Sequence, residues 1–100
     1  MSLPSDRVAA DETASVTVHY WASARAAAGV SSDELPATGP LTLTDVVRRA
    51  TALHPGTRLP QVLEACSVLV GDRPVASAHP DDVVVKPGET VEFLPPFAGG

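Results

Sequence analysis

The chain has 100 residues, of which 44% are hydrophobic and 19% are charged, as is typical of one small globular domain. Twelve acidic residues against seven basic ones give a net charge of −5 without any basic run, which argues against binding of nucleic acid or an anionic membrane. Cys66 is the one cysteine, which excludes an internal disulfide and a cysteine-based zinc site. Apolar stretches fall far short of the ~20 residues of a membrane-spanning helix.

The first 14 residues are mostly polar, with Leu3 and Val8 as the sizeable apolar side chains after Met1. They lack the continuous apolar region of a secretory signal, and so little apolar surface cannot offset the entropy of ordering the chain. The sequence therefore predicts a disordered tail over residues 1–14 and a cytoplasmic protein.

Two strands are predicted near the two ends of the remaining chain. Residues 16–21 alternate between two faces and are rich in β-branched and aromatic side chains, so they predict a first strand. Residues 89–94 predict the last strand, in which Val91 and Phe93 face inward.

The clearest helix begins after Thr42, which can cap it together with Asp45, and it ends before Pro55. Before this helix, the sequence predicts an Ala-rich helical turn after Ser23 that Gly29 closes, and a short strand at residues 34–35. After it, the sequence predicts a helical turn over residues 59–65 and strands over residues 67–70 and 74–75. A loop is predicted over residues 79–82 and extended chain over residues 83–85. One main helix covers one face of a sheet, so the order favours an α+β, ubiquitin-like β-grasp with a mixed sheet packed on that helix. The domain is predicted over residues 15–94, with a flexible tail over residues 95–100.

Residue patterns that carry catalysis are missing from the sequence. It contains no glycine-rich phosphate-binding loop and no G-x-S-x-G nucleophile motif. His19, His54 and His79 are far apart and lack the spacing of metal ligands. Cys66 is interpreted as a small buried hydrophobic residue. The sequence therefore predicts neither a self-contained active site nor a metal site.

The carboxyl terminus carries the strongest functional signal. Pro95 and Pro96 favour an extended chain, while Gly99 and Gly100 have no side chains and can enter a channel too narrow for other residues. The six steps from Leu94 to Gly100 reach up to ~20 Å. Such a tail is suited to delivering its α-carboxylate into the active site of another protein.

From Val16 to Gly100 the chain resembles the MoaD/ThiS family of ubiquitin-like sulfur carriers, most closely its MoaD branch of molybdopterin synthase small subunits. The resemblance is carried by Tyr20-Trp21-Ala22 with Arg25 and Gly29, by the helix after Thr42, and by residues 89–100 with Pro95-Pro96 and the terminal Gly99-Gly100. The sequence departs from the family at residues 86–89, where Lys-Pro-Gly-Glu replaces the common Gly-Asp-Glu turn.

The resemblance implies a sulfur-donating, non-catalytic subunit that binds no cofactor itself. A MoeB-like, E1-like enzyme would use ATP to adenylate Gly100, since an ionised carboxylate is a poor electrophile. A sulfur donor protein would then convert this end to a thiocarboxylate. Gly99, which has no side chain, would allow the tail to enter the narrow active site of the partner. The partner that holds the pterin precursor would be the large, MoaE-like subunit of molybdopterin synthase.

Two alternatives remain open at this point. The sulfur could instead go to another pathway, such as that of the thiamine thiazole, cysteine or another sulfur-containing metabolite. The chain could also be a non-enzymatic β-grasp module that binds proteins, or one that is conjugated to them through Gly100.

A docking surface is predicted where the first and last strands end. These strands are parallel neighbours in a β-grasp, and strand parity then puts Trp21 and Leu94 on the sheet face away from the helix. An exposed Trp and Leu commonly mark a partner site, to which Arg25, Pro74 and Phe97 would add. The alternative is that Trp21 merely folds back over the sheet edge.

Overall fold

The computed structural model describes residues 14–96. In chain order its elements are β1 (Ser15–Tyr20), α1 (Ala22–Ala28), β2 (Ser32–Pro36), β3 (Leu41–Thr42), α2 (Leu43–Ala52), α3 (Leu59–Glu64), β4 (Ser67–Val70), β5 (Arg73–Pro74), a 3-10 turn (Pro80–Asp82), β6 (Val84–Val85) and β7 (Thr90–Leu94). The predictions for the first 13 residues, and for Phe97, Gly99 and Gly100, concern residues outside the described range.

Five strands form the main sheet in the order β2-β1-β7-β4-β5. The central strands β1 and β7 are parallel, whereas the other three pairings are antiparallel. Strands β3 and β6 form a separate two-stranded sheet. This mixed sheet with helices on one face confirms the predicted α+β, β-grasp architecture.

Alternation along the strands decides which sheet face is covered. In β1, Val16, Val18 and Tyr20 are each at most 1% exposed, and in β7 the same holds for Val91 and Phe93. These side chains pack against apolar residues of the helices in one core. The outer face, defined here as the sheet face away from the helices, carries the alternate residues, as the alternation predicted.

Helix α2 begins with the capping box expected from the sequence. The Thr42 hydroxyl accepts a hydrogen bond from the Asp45 N–H at 3.0 Å, and the Asp45 carboxylate accepts one from the Thr42 N–H at 3.1 Å. Hydrogen bonding to the carboxylate from the Thr42 backbone N–H, followed by the Thr42 hydroxyl, lowers the pKa of Asp45, because it favours the charged form.

Helix α2 is the main helix on the sheet, as predicted, and the two shorter helices complete the cover. Ala24 and Ala28 of α1, and Leu59 and Leu63 of α3, are also buried. The reason is size, since ten helical residues span ~15 Å, whereas five strands spaced ~4.8 Å apart make a sheet about 19 Å wide.

Several local details differ from the sequence-based expectations. Helix α1 begins at Ala22, before Ser23, and the residues around Asp81, expected as a loop, form a 3-10 turn. Strand β6 lies within the extended segment predicted there, but its pairing with β3 was not predicted. Two-residue strands carry no readable alternation, so such a pairing depends on the folded chain.

Candidate functional site

The ends of β1 and β7 lie side by side, where the described chain leaves the sheet. Tyr20 and Phe93 are partners in the parallel register, and the Trp21 N–H donates to the Phe93 carbonyl at 3.2 Å. Leu94, the last residue of β7, is therefore next to Trp21. Pro95, which follows it and has no N–H, cannot continue a ladder of hydrogen bonds.

An apolar patch occupies this end of the outer face. The pairings place Glu92 opposite Leu69, and Leu69 opposite Pro74, while Trp21 is 44% exposed. Pro74 is exposed, whereas Leu69 and Leu94 are half-buried. We call these five residues, Trp21, Leu69, Pro74, Leu94 and Glu92, the outer-face patch.

The structure fixes the direction of the Trp21 indole. Its Nε1–H donates to Oε1 of Glu92 at 2.9 Å, and its ring meets the imidazole of His19 edge-on with centroids 4.6 Å apart. Since β1 and β7 are interior strands of the sheet, the indole lies towards the middle of the outer face and not over a sheet edge.

Sequence reasoning did not place Leu69, Glu92 or His19 in the site. The strand prediction for residues 67–70 already contained the signal for Leu69, because its neighbours Val68 and Val70 alternate with it. For His19 and Glu92 the signal is the parallel register, which makes them direct partners.

The other predicted site residues lie near the rim of the patch or outside the described residues. Arg25 is exposed on α1, one helical turn from Trp21, whose carbonyl accepts the Arg25 N–H at 3.3 Å. Its side chain therefore starts near the rim of the patch. Phe97, Gly99 and Gly100 lie beyond the part of the chain that the structure describes.

A groove runs from the patch along the departing chain. Its lining residues are Cys66, Ser67, Val68, Leu69, Pro74, Val75, Ala76, Leu94, Pro95 and Pro96. Burial raises the pKa of the Cys66 thiol to about 11, and the Sγ–H donates to the Val62 carbonyl at 3.3 Å. Because the thiolate is the nucleophile, the raised pKa disfavours reaction of this thiol at neutral pH.

The three histidines contact separate partners and do not form a catalytic cluster. His54 Nε2 is 2.5 Å from Oδ2 of Asp33, His19 faces Glu92, and His79 caps the 3-10 turn. Within residues 14–96 no group of three or more His, Cys, Asp or Glu side chains could hold a metal ion. Over the same range, the helices are too short or too polar to cross a bilayer.

Solved structures with the same fold cover most of the chain. Small archaeal modifier protein 1 (SAMP1) of Haloferax volcanii superposes with a TM-score of 0.71 at 19% identity, covering 86% of this chain and 99% of its own. Urm1 of Trypanosoma brucei gives 0.66 at 23% identity, with 86% and 95% covered. A putative molybdopterin converting factor, subunit 1, of Pyrococcus furiosus gives 0.62 at 20% identity, with 84% and 99% covered.

Sequence comparison gives a closer relationship. The molybdopterin synthase sulfur carrier subunit of Aspergillus niger is 34% identical over 83 residues, which cover 83% of this chain and 91% of that protein. The protein of the same name from Emericella nidulans is 30% identical over 89 residues, with 83% and 94% covered. The model of the ThiS family matches residues 18–100, which include the terminal Gly99-Gly100. The chain therefore belongs to the ThiS family of sulfur carriers.

Proposed function

We propose that this chain is the sulfur carrier subunit of a molybdopterin synthase and that Gly100 carries the sulfur. The observation that carries the proposal is the 34% identity to the Aspergillus niger sulfur carrier subunit over 91% of that protein's length. The family match through residue 100 supports it as well.

The chemistry follows from the state of a terminal carboxylate. With a pKa of about 3.5 the Gly100 carboxylate is ionised at neutral pH and resists attack. An activating enzyme that binds ATP joins this carboxylate to AMP and releases pyrophosphate. Hydrosulfide released by a sulfur donor then attacks the carbonyl carbon, the bond to AMP breaks, and loss of one proton leaves the thiocarboxylate. This chain binds no cofactor in the scheme, and ATP belongs to the activating enzyme.

The outer-face patch docks the partners. The large subunit of the synthase holds the pterin precursor, and binding against Trp21 and Leu94 directs the tail into its active site. Six residue steps from Leu94 to Gly100 limit the reach to about 20 Å. Docking thus converts sulfur transfer into an oriented reaction between held groups. Arg25 is near the rim of the patch, and Phe97, outside the described residues, would add an apolar contact with the partner.

Mass spectrometry tests the chemical step. The protein is incubated with the activating enzyme, ATP and a sulfur source, and we expect a mass increase equal to exchange of one oxygen for one sulfur. A variant lacking Gly100 is the control and should gain nothing. Lysine-linked adducts without sulfur would instead support protein conjugation. A sulfur-bearing chain that cannot support molybdopterin formation by the large subunit would support a different recipient pathway.

Substitution within the patch tests the docking step. Interface Trp anchors commonly contribute more than ~2 kcal/mol, so Trp21→Ala and Leu94→Ala should lower affinity for the large subunit about thirtyfold. Leu53→Ala is the matched control, because Leu53 is 51% exposed at the end of helix α2, away from the outer face. Wild-type affinity of both patch variants in titration calorimetry would contradict this role of the patch.

A further inference from the structure

A single carboxylate lies in the middle of the outer-face patch. Glu92 is flanked by His19 on β1 and by Leu69 on β4 in the sheet register. Its side chain is 28% exposed, and its Oε1 accepts the Trp21 indole N–H. An acidic group is therefore built into a surface that is otherwise apolar.

The charges around this carboxylate do not neutralise it. His19 Nδ1 lies 3.8 Å from Glu92 Oε1, so it compensates the charge only when the imidazole is protonated. Within residues 14–96, no Lys or Arg nitrogen lies within 4.0 Å of the Glu92 carboxylate, which has His19 as its sole ion-pair partner. On β2 the nearest ionisable side chain of the outer face is Glu34, which is also acidic and accepts from the hydroxyls of Ser15 and Thr17. From β4, Ser67 and Leu69 add no charge.

Docking of a partner would remove water from this carboxylate. A charge that loses water without gaining a counter-charge is strongly unfavourable. We propose that the partner subunit places an Arg or Lys side chain against Glu92, and that Glu92 thereby selects which partners this chain accepts. The inference rests on the proposed function, since it deepens the role of the same docking surface.

Glu92 also positions the indole, and the two roles can be separated. A Gln at this position keeps a carbonyl oxygen that can accept the Trp21 N–H but removes the charge. Trp21 is the one tryptophan of the chain, so intrinsic fluorescence reports directly on the indole environment. Glu92→Gln should therefore leave the emission spectrum of the free protein unchanged.

The experiment measures affinity for the large subunit of molybdopterin synthase from the same organism by titration calorimetry at two ionic strengths. Glu92→Gln should weaken binding about thirtyfold or more, as when one member of a buried charge pair is removed. Its affinity should also depend less on salt than that of the wild type. Glu34→Gln is the matched control, since it removes an acidic charge from the same sheet face outside the patch, and it should bind nearly as the wild type does.

Three outcomes would each overturn this inference without contradicting the proposed function. They are wild-type affinity and salt dependence in Glu92→Gln, an equal loss of affinity in Glu34→Gln, and a loss in Glu92→Gln accompanied by a shifted tryptophan emission. The third would mean that indole position, and not charge, controls binding. Failure of the wild-type chain to bind the large subunit at all would instead contradict the proposed function.

Discussion

The hydroxyl of Tyr20 joins a partly buried polar network on the helix side of the sheet. Tyr20 is 1% exposed, and its hydroxyl donates to Oδ2 of Asp33 at 2.8 Å. The same oxygen lies 2.5 Å from Nε2 of His54. Burial, followed by the hydrogen bond to Asp33 and the charge of that carboxylate, raises the pKa of Tyr20 far above its ordinary value. The neutral phenol is therefore strongly favoured in the folded state.

This shift predicts a loss of stability at alkaline pH. The folded-state pKa is raised, so the stabilisation is complete below the unfolded pKa near 10 and is lost as the pH rises above it. Over that window the unfolded chain releases a proton that the folded protein retains. Well above pH 10 the free energy of unfolding should then fall by about 1.4 kcal/mol per pH unit. Because the unfolded tyrosine is only partly ionised near pH 10, the total fall between pH 9 and pH 11 is about 1.4 kcal/mol.

Urea denaturation across that pH range, with Tyr20→Phe as the test variant, measures the effect. Both proteins should carry Cys66→Ala. The pKa of this thiol is also raised, to about 11, so it too would lower the free energy of unfolding as the pH rises over this range. At neutral pH Tyr20→Phe should be ~1–2 kcal/mol less stable, since a hydrogen bond to a charged group is lost. Above pH 10 its stability should fall less steeply with pH than that of the Tyr20 protein.

Direct titration offers an independent check. Tyr20 is the one tyrosine of the chain, so the ultraviolet absorbance of the phenolate follows this hydroxyl alone. The folded protein should show no phenolate near pH 10, whereas the urea-unfolded chain should titrate there. Ionisation of the folded protein near pH 10, or parallel loss of stability in both proteins, would refute the reasoning.

Four further predictions concern the tail, the thiol and the main helix. Removing Gly100 should abolish sulfur loading while leaving Tm nearly unchanged, because glycine adds no apolar side chain to a core; sulfur loading at the wild-type rate would contradict it. Cys66→Ala should support wild-type sulfur transfer in the reconstituted synthase at a cost of ~1 kcal/mol in stability, and loss of transfer by a folded variant would indicate a persulfide on this thiol. Thr42→Ala should lower the free energy of unfolding by ~1 kcal/mol in urea denaturation. The difference in the free energy of unfolding between wild type and Asp45→Asn should shrink as the pH falls through and below 4. The reason is that a lowered folded-state pKa contributes stability that is present above the unfolded pKa of about 3.9 and is lost on acidification. A difference independent of pH would argue against the charged cap.

Local patterns were sufficient for much of the fold. The two-residue period of β1 and β7 assigned buried faces correctly, because alternate side chains of a strand point to opposite sides. Thr42 and Asp45 marked the start of α2, since a capping box involves backbone groups only three residues apart. The Gly99-Gly100 terminus and the strand before it were enough to indicate the family.

Contacts between distant segments were beyond such patterns. The pairing of β3 with β6 and the network of Tyr20, Asp33 and His54 depend on where separate elements meet. The composition of the patch shows the same limit, because alternation places Leu69 on the outer face but only the pairing of β4 with β7 places it beside Glu92.

The sequence by itself determined the strand faces and the start of the main helix, since each depends on neighbours along the chain. Only the tertiary structure decided that Glu92 faces His19 and accepts the indole N–H of Trp21, a residue 71 positions away. Such a contact requires a particular register between two parallel strands, and one step of slippage would turn Glu92 to the other face of the sheet. The core side chains that alternate with these residues hold that register, so the packing of the buried face decides the chemistry of the exposed one.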